Sequence, residues 1–272
     1  MRDSGFFFAA ASTLWKHRGL LWRFTQRNVE LRHRGSHLGI VWAILNPLLT
    51  LSLYVFIFGY IFNGSFRVLP NETKLDYALA IFLGLAIYQF LSEVLSVSTG
   101  VIVANPNLVK KVVFPLEILP ASLVGSAFFH TLISLVLVLV GVAAFGPGLS
   151  WDALWLPVIL LPMIPLALGI AWFFAALGVF LRDISQIIGL ATMALMYASA
   201  LFFPVSAIPP QAWTFLRLNP LLLTVELARD AVLWHRPMDP VHLAYVAGFS
   251  LVTCVAGFLF FKKTSPAFAD VL

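Results

Sequence analysis

Charge is scarce in this sequence of 272 residues, of which 61% are hydrophobic and only 11% are charged. The mean hydropathy is +0.95. Soluble domains carry about 25% charged residues, because their surfaces must be hydrated. A chain of this length with so little charge cannot cover its own surface in water. The composition therefore predicts a protein that is embedded in lipid over most of its length.

Cysteine and familiar catalytic motifs are also missing. The single cysteine, Cys254, excludes an intrachain disulfide and a cysteine metal cluster. No glycine-rich segment ends in Gly-Lys-Ser or Gly-Lys-Thr, and the His-Glu-x-x-His and Gly-x-Ser-x-Gly motifs are absent as well. His33 and His37 stand at an i, i+4 spacing but lack a third metal ligand. We therefore expect no catalytic residue, no metal site and no cofactor on this chain.

Long apolar runs fill most of the sequence. A helix needs about 20 apolar residues to cross a hydrocarbon core about 30 Å thick. Six runs qualify, at about 38–62, 78–104, 120–145, 154–181, 185–203 and 241–261. The fourth contains Pro157, Pro162 and Pro165, which predict an irregular start. The sequence thus predicts an all-α integral membrane protein with six transmembrane helices over 38–261, between an N-terminal segment, 1–37, and a C-terminal tail, 262–272.

The positions of Lys and Arg predict the orientation, because cytoplasmic connections are enriched in them. One side holds most of the 17 such residues, namely Arg2, Lys16, Arg18, Arg23, Arg27, Arg32, Arg34, Lys110, Lys111, Arg182, Lys262 and Lys263. The other side holds Arg67, Lys74, Arg217, Arg229 and Arg236. Both termini are therefore expected in the cytoplasm. The net charge of +5 then reflects topology, and without a basic stripe interleaved with aromatic residues we expect no nucleic-acid partner.

Two cytoplasmic segments have patterns of their own. At about 13–34 an amphipathic helix is predicted, with Arg23, Arg27, Glu30 and Arg34 on one face and Trp15 and Trp22 beside its leucines. A basic helix with tryptophans lies in the headgroup plane of a membrane; a solvated tail is the alternative. At 105–120, NPNLVKKVVFPLEILP predicts a short helix between Asn105 and Pro115. Its apolar side chains favour docking of a cytoplasmic partner over a connector that lies on the membrane.

The outer side and the spans also carry polar groups. Pro209–Pro210 and Asn219–Pro220 divide 204–240 into two short pieces, which predict a re-entrant or interfacial helical hairpin, with an ordinary loop as the alternative. Within it, the spacing of Glu226, Arg229 and Asp230 permits ion pairing. Glu93 lies near the middle of the second span. An intramembrane carboxylate is a functional candidate, and His130 is a candidate partner; a structural bond to Ser92, Ser96 or a neighbouring helix is the alternative.

Several of these segments together resemble the ABC-2 type polysaccharide export permeases, which export O-antigen, capsule or teichoic acid precursors. The residues LRHRGSHLGIVWAILNPLL at 31–49 are similar to the start of that family's first span, and 105–120 is similar to its coupling segment. Arg182–Asp183–Ile184, Asn219–Pro220 and the terminal Phe268–Ala269–Asp270–Val271 also fit. The resemblance covers nearly the whole chain from about Leu20 onward.

The resemblance implies a half-transporter in a bacterial inner membrane. Two copies of the chain would work with two copies of a separate cytoplasmic ABC ATPase, which would hold ATP and Mg, to export a polyprenyl-pyrophosphate-linked polysaccharide. The coupling residues would be Asn105, Pro106, Asn107, Leu108, Val109, Lys110, Lys111, Val112, Phe114 and Pro115. The residues near the entrance for the lipid head group would be Trp22, Arg23, Arg27 and Arg34. Those that help to close the outer end would be Asn219, Pro220, Glu226, Arg229 and Asp230.

Aromatic residues in the first two spans are candidates for lining a glycan path, because ring faces suit the C–H faces of sugars. These are Trp42, Tyr54, Phe58 and Tyr88, although such residues are equally ordinary at lipid-facing positions. Three other functions stay open: an ABC-2 exporter of another lipid or drug, a proton-coupled secondary transporter that uses Glu93 and His130, and a membrane enzyme that modifies lipid-linked sugars. The spans show no evident internal repeat with paired broken helices, which disfavours the secondary transporter.

Overall fold

The structure, a computed structural model, describes residues 4–32, 35, 37–61, 64–110, 114–181 and 183–272, without the side chains of residues 4–9 and 40. Throughout these residues the regular structure is helical. The helices are α1 (Ser4–Lys16), α2 (Arg18–Arg32), α3 (Trp42–Tyr54), α4 (Lys74–Ser98), α5 (Pro106–Lys110), α6 (Ile118–Phe145), α7 (Leu156–Leu160), α8 (Met163–Phe180), α9 (Ile184–Ala198), α10 (Pro210–Leu216), α11 (Pro220–Val232), α12 (Pro240–Thr264) and α13 (Phe268–Val271). Helix α3 continues as a wider π-helical segment, Val55–Ile61.

Five helical stretches of the described chain are long and apolar enough to cross a membrane. They are Trp42–Ile61, Lys74–Ser98, Ile118–Phe145, Trp151–Phe180 and Pro240–Val271, and they overlap the first four and the last of the predicted spans. The fourth begins irregularly, as its prolines predict: a 3₁₀ turn and α7 precede α8. The all-α membrane architecture predicted from the sequence is therefore confirmed.

The predicted span at 185–203 corresponds to α9, which has only 15 residues. At 1.5 Å per residue such a helix extends about 22 Å, less than the hydrocarbon core. The apolar run continues through Leu201 and Phe203, but the helix ends at Ala198 and Ala200 adopts a left-handed φ of 49°. Hydropathy alone does not register that turn, so the sequence overestimates the length of this helix.

Helix α4 forms the centre of the fold, and its residues from Asp76 to Tyr88 are all buried. A capping box fixes its start, because Thr73 Oγ1 accepts from the Asp76 N–H and the Asp76 carboxylate accepts from the Thr73 N–H. Helices α3, α6, α8 and α11 pack around it. By contrast, α3 is largely exposed along its length, with only Ala43 buried.

Helices α8 and α12 approach each other through glycines. A Cβ atom on Gly169 would lie 2.3 Å from the Thr253 carbonyl oxygen, and one on Gly257 would lie 2.0 Å from the Gly169 carbonyl oxygen. Small residues are what allow two helices to pack backbone to backbone in a membrane. This contact fixes α12, the last long helix, against the core.

On the cytoplasmic side predicted from the charges, α2 lies across α6. The Asn28 side-chain amide donates to Ser122 Oγ at 3.0 Å, and Gly125 leaves room for Thr25, whose Oγ1 would lie 2.8 Å from an added Cβ. The helix predicted at 13–34 thus corresponds mainly to α2, which has no buried residue. Helix α1 precedes it and begins well before the predicted range.

Candidate functional site

A polar cavity of about 310 Å³ lies among α2, α3, α4 and α6. We call it the polar cavity. Hydrogen-bonding side chains from three helices line it, including Asn46, Thr50, Gln89, Ser92, Thr131 and Ser134. Trp42, Glu93 and His130 complete much of the wall. A cavity with this many donors and acceptors suits a polar ligand or water rather than a lipid chain.

Arg32, the last residue of α2, forms an ion pair with Glu93 of α4 in the wall of this cavity. Arg32 Nη1 lies 2.6 Å from both Glu93 carboxylate oxygens. The arginine side chain is 45% exposed and the glutamate side chain 26% exposed. The sequence predicted His130, a nearby serine or a neighbouring helix as the partner of Glu93. Of these, the structure supplies a partner from a neighbouring helix, α2, and His130 lines the same cavity.

A second cavity, of about 450 Å³, also includes Arg32 and Glu93 in its wall. Its remaining lining is mostly apolar, with two polar side chains: Leu31, Val94, Val97, Leu123, Asn28 and Ser126. We call it the amphipathic groove. The two spaces differ in chemistry, and the ion pair lies where they meet.

The arginines that the sequence favoured on the interface helix lie elsewhere. Trp22, Arg23 and Arg27 are exposed, and the Arg27 guanidinium lies 5.7 Å from the Phe24 ring centre. Neither cavity described above includes these three residues in its wall. Arg34 lies outside the described residues. Arg32 is therefore the functional candidate that the sequence missed; the signal available was the unpaired carboxylate of Glu93, which required a cation from some other segment.

The four aromatic candidates fall into three environments. Trp42 lines the polar cavity. Tyr54 and Phe58 stack with ring centres 5.6 Å apart, and Phe58 stacks on Phe202 at 5.1 Å. Tyr88 is buried, and its hydroxyl donates to the Thr192 carbonyl at 3.0 Å. Tyr88 therefore joins α4 to α9 and is not open to a glycan path, which corrects that part of the prediction.

The connector at 105–120 begins with α5 at Pro106, as predicted. Asn105 donates its side-chain amide to the Val101 carbonyl at 2.8 Å. Pro106, Asn107 and Lys110 are exposed. Lys111 and Val112, and Val113 beside them, lie outside the described residues.

The apolar face predicted for this connector is turned partly inward. Leu108, Val109 and Phe114 are partly buried against the chain's own core cluster, and the Phe114 ring centre lies 5.4 Å from that of Phe24. Pro115 is also partly buried. The apolar residues thus fix the connector to α2 and the spans, and Asn107 and Lys110 face outward.

Glu117, near the end of this connector, links it to two spans. Its carboxylate forms an ion pair with the Lys262 ammonium at the end of α12. Its backbone carbonyl accepts a hydrogen bond of 3.0 Å from the Trp172 indole N–H of α8. Nearby, the Phe268 ring of α13 packs against Phe180 and Phe261. These contacts would therefore transmit a displacement of the connector to α8 and α12.

The two helices of the predicted outer hairpin are present as α10 and α11. Asn219 caps α11, since its Oδ1 accepts from the Leu221 N–H at 3.0 Å, and its amide donates to the Ala198 carbonyl at 3.1 Å. Pro220 occupies the first turn. Helix α11 is largely buried among α4, α7 and α12. The segment 204–240 is therefore largely helical and packed against the chain's own core.

Arg229 is the buried centre of this hairpin. Its Nε donates to the Ala80 carbonyl at 3.0 Å, and its Nη atoms donate to the Ala200 and Leu201 carbonyls at 2.9 and 2.7 Å. Glu226 accepts from it at 2.9 Å, so the predicted Glu226–Arg229 pair is confirmed. These bonds join α11 to α4 and to the turn after α9.

Asp230 faces another direction and lies 3.7 Å from Arg236, because adjacent residues on a helix do not share a face. Burial, and then the negative charge of Glu226, raise the pKa of Asp230 to about 6. Burial likewise raises the pKa of Glu226, although Arg229 opposes it. The outer hairpin thus contains carboxylates that are held in a poorly hydrated setting.

The long apolar helices define a multi-pass integral membrane protein. The chain belongs to the ABC-2 type transporter family, whose sequence profile matches residues 19–233. The family resemblance seen in the sequence is therefore confirmed.

Relatives match over nearly the full length. The chain is 29% identical over 259 residues to the O-antigen export system permease protein RfbA of Myxococcus xanthus, covering 94% of this chain and 96% of the relative. It is 28% identical over 260 residues to the protein of the same name from Klebsiella pneumoniae, with 93% and 95% covered. Identity to the polysialic acid transport protein KpsM of Escherichia coli is 29% over 244 residues, with 89% and 92% covered.

Proposed function

We propose that this chain is the membrane permease subunit of an ATP-driven exporter that moves polyprenyl-linked polysaccharide out of the cytoplasm across a bacterial inner membrane. The observation that carries the proposal is the full-length similarity to permeases of O-antigen export and to a polysialic acid transport protein. Because the match extends over nearly all of each relative, it includes both the spans and their connectors.

The proposal assigns ATP hydrolysis to a separate ABC ATPase, with two ATPase copies for two permease chains. The sequence supports this division because it has no P-loop. The exposed residues of α5, Pro106, Asn107 and Lys110, offer a polar docking surface. Glu117 then provides a route for the ATPase to move α8 and α12, through Trp172 and Lys262.

We further propose six membrane crossings with both termini in the cytoplasm. Five stretches are long enough to cross, and an even number is required if both ends lie on one side. Helix α9 and the turn after it would complete the sixth crossing. Backbone outside a regular helix at membrane depth must be protected by protein, and Arg229 supplies donors to the carbonyls of Ala200 and Leu201 in that turn.

A homodimer is supported by the exposed apolar faces of α3 and α9. On α3 these include Ile44, Leu49 and Leu53, and on α9 they include Ile187, Leu190 and Tyr197. Lipid would cover the same surfaces in a monomer, so the proposal rests mainly on the need for a path wide enough for a glycan. Two chains that face each other through α3 would bring Ile44, Leu49 and Leu53 to the shared interface.

Affinity purification from detergent-solubilised native membranes tests the proposed function. A tagged chain should retain a P-loop ATPase in equal amount, and Lys110→Glu should reduce that amount several-fold, because Lys110 is exposed on α5. Lys263→Glu, an exposed basic residue of α12, is the matched control and should retain the ATPase. Recovery of the chain as an intact dimer with no ATPase would contradict the proposal and would favour a self-contained transporter.

A further inference from the structure

The Arg32–Glu93 ion pair lies in the wall of two spaces that differ in chemistry. The polar cavity, about 310 Å³, has several hydroxyl and amide side chains in its wall, whereas half of the residues lining the amphipathic groove, about 450 Å³, are leucine or valine. Both volumes fall in the range of about 300–1,000 Å³ typical of small-molecule sites. A ligand that occupied both would need an apolar part, a polar part and a group between them that Arg32 can bind.

Arg32 is well suited to bind an oxyanion at this position. Its guanidinium already holds a carboxylate through Nη1, and the same planar set of donors binds phosphate oxygens. With 45% of the side chain exposed, it is accessible from outside the bundle. Arg229, by contrast, is fully buried and donates to three carbonyls and to Glu226, so it has little capacity for a ligand.

We infer that the two cavities and Arg32 form one binding site for a prenyl phosphate carrying a sugar. The inference rests on the proposed function and deepens it. The prenyl chain lies in the amphipathic groove, the phosphate binds Arg32, and the first sugar enters the polar cavity, where Asn46 and Gln89 offer hydrogen bonds. Glu93 is then a competing ligand: it occupies Arg32 when the site is empty and is displaced when phosphate arrives.

This arrangement has a consequence that a purely structural ion pair does not have. If Glu93 only stabilises the fold, removing its charge weakens every property that depends on the fold. If Glu93 competes with phosphate, removing its charge frees Arg32 and strengthens phosphate binding. The sign of the effect of Glu93→Gln on affinity therefore separates the two roles.

The test measures binding of farnesyl pyrophosphate to the purified full-length protein in lipid nanodiscs. We expect Arg32→Gln to weaken binding at least tenfold and Glu93→Gln to strengthen it several-fold. Glu30→Gln and Arg18→Gln, exposed positions on the same interface helix, are the charge-matched controls and should leave the affinity unchanged. Arg32→Lys keeps the charge but loses the planar fork, so it should give an intermediate affinity if Arg32→Gln does not fold.

Further probes separate the parts of the ligand. Inorganic pyrophosphate should bind weakly and in an Arg32-dependent manner, and farnesol should bind without dependence on Arg32. Strong binding of pyrophosphate alone would mean a site for a free phosphate compound and would overturn the lipid assignment. Gln89→Leu should weaken binding of a farnesyl diphosphate sugar and leave farnesyl pyrophosphate unchanged; equal affinities for the sugar-bearing probe would remove the sugar from the polar cavity.

The inference fails if Arg32→Gln leaves farnesyl pyrophosphate binding unchanged, or if folded Glu93→Gln binds it more weakly than wild type. Either failure is distinguishable from failure of the proposed function. Loss of the site with export and ATPase association intact would leave the permease role standing, whereas absence of any ATPase partner would remove the permease role whatever the binding data show.

Discussion

The Lys262 side chain at the end of α12 contacts the Glu117 carboxylate at the start of α6, and the two residues are 145 positions apart. Glu117 is nearly buried, with 7% of its side chain exposed, whereas Lys262 is 46% exposed. This ion pair joins the end of the connector that contains α5 to the last long helix. It links the segment that carries the proposed docking surface to a second span.

Lys262→Met should therefore destabilise the protein more than Lys263→Met. The substitution leaves the Glu117 carboxylate buried without its cation, a change that costs about 3–5 kcal/mol when a fully buried pair is broken and less here because Lys262 is half exposed. Lys263 is exposed on the same helix turn. Thermal unfolding of the detergent-solubilised variants measures the difference, and equal midpoints would show that the pair contributes nothing.

Loss of Arg229 should be the most damaging single change in the outer hairpin. Arg229→Met removes donors from three carbonyls and leaves Glu226 without its cation, and we expect a loss of about 3–5 kcal/mol. Arg217→Met, an exposed arginine of the same hairpin, is the control. The yield of monodisperse protein and its unfolding midpoint report the effect. A midpoint for Arg229→Met that matched the control would contradict the role assigned to this residue.

The close contact of α8 with α12 gives a prediction about glycine. Gly169→Ala adds a Cβ that would lie 2.3 Å from a backbone oxygen, so the helices must separate, at a cost of about 1–3 kcal/mol. Gly248→Ala on α12 meets open space and should be neutral or slightly stabilising. Unfolding midpoints of the two variants compare them directly, and an unchanged midpoint in Gly169→Ala would mean that the helices do not pack this closely.

The raised pKa of Asp230 predicts a pH dependence. Its folded-state pKa is about 6 against an ordinary value of 3.8, so the folded protein binds the proton more readily than the unfolded chain. The stabilising contribution is full below about pH 4 and is lost as the pH rises through about 6. At pH 7.5 the buried charge is unfavourable, so Asp230→Asn should unfold at a higher temperature than wild type, by a margin that shrinks towards pH 4.

Asp239, the N-cap of α12, has a pKa shifted in the opposite direction. The backbone N–H of Val241 lowers the pKa of Asp239, so its charge stabilises the folded state above its ordinary pKa and the contribution is lost on acidification. Asp239→Asn should lower the unfolding midpoint at pH 7.5. A shift of the unfolding midpoint in the same direction for both variants at this pH would contradict the different environments assigned to the two carboxylates.

Most of the fold could be predicted because the length of an apolar run and the positions of prolines determine helices from the local sequence alone. The runs around α4, α6 and α12 are long enough to need a membrane, and the capping residues before α11 and α12 mark their starts. Helix α9 was overestimated because a left-handed turn at Ala200 interrupts an apolar run without changing its hydropathy. Helix α1 has no periodic polar face that marks it.

The candidate site could be predicted only in part, because it is built from distant segments. Glu93 was recognisable as a charge in an apolar run, but its partner Arg32 is 61 residues away and is one of many arginines on the interface helix. The orientation of Val109 and Phe114 also depends on where α2 packs, which no local pattern records. Composition identified the helix that carries the basic residues, and tertiary packing selected which residue of it enters the site.

The most direct test of the central claim is the location of polysaccharide in source cells from which this chain has been deleted. The account predicts that lipid-linked polysaccharide accumulates on the cytoplasmic side and is lost from the surface. The wild-type chain should restore export only with a partner ATPase whose P-loop lysine is intact. Normal surface polysaccharide in the deletion strain, with no internal accumulation, would contradict the assignment of this chain as a polysaccharide export permease.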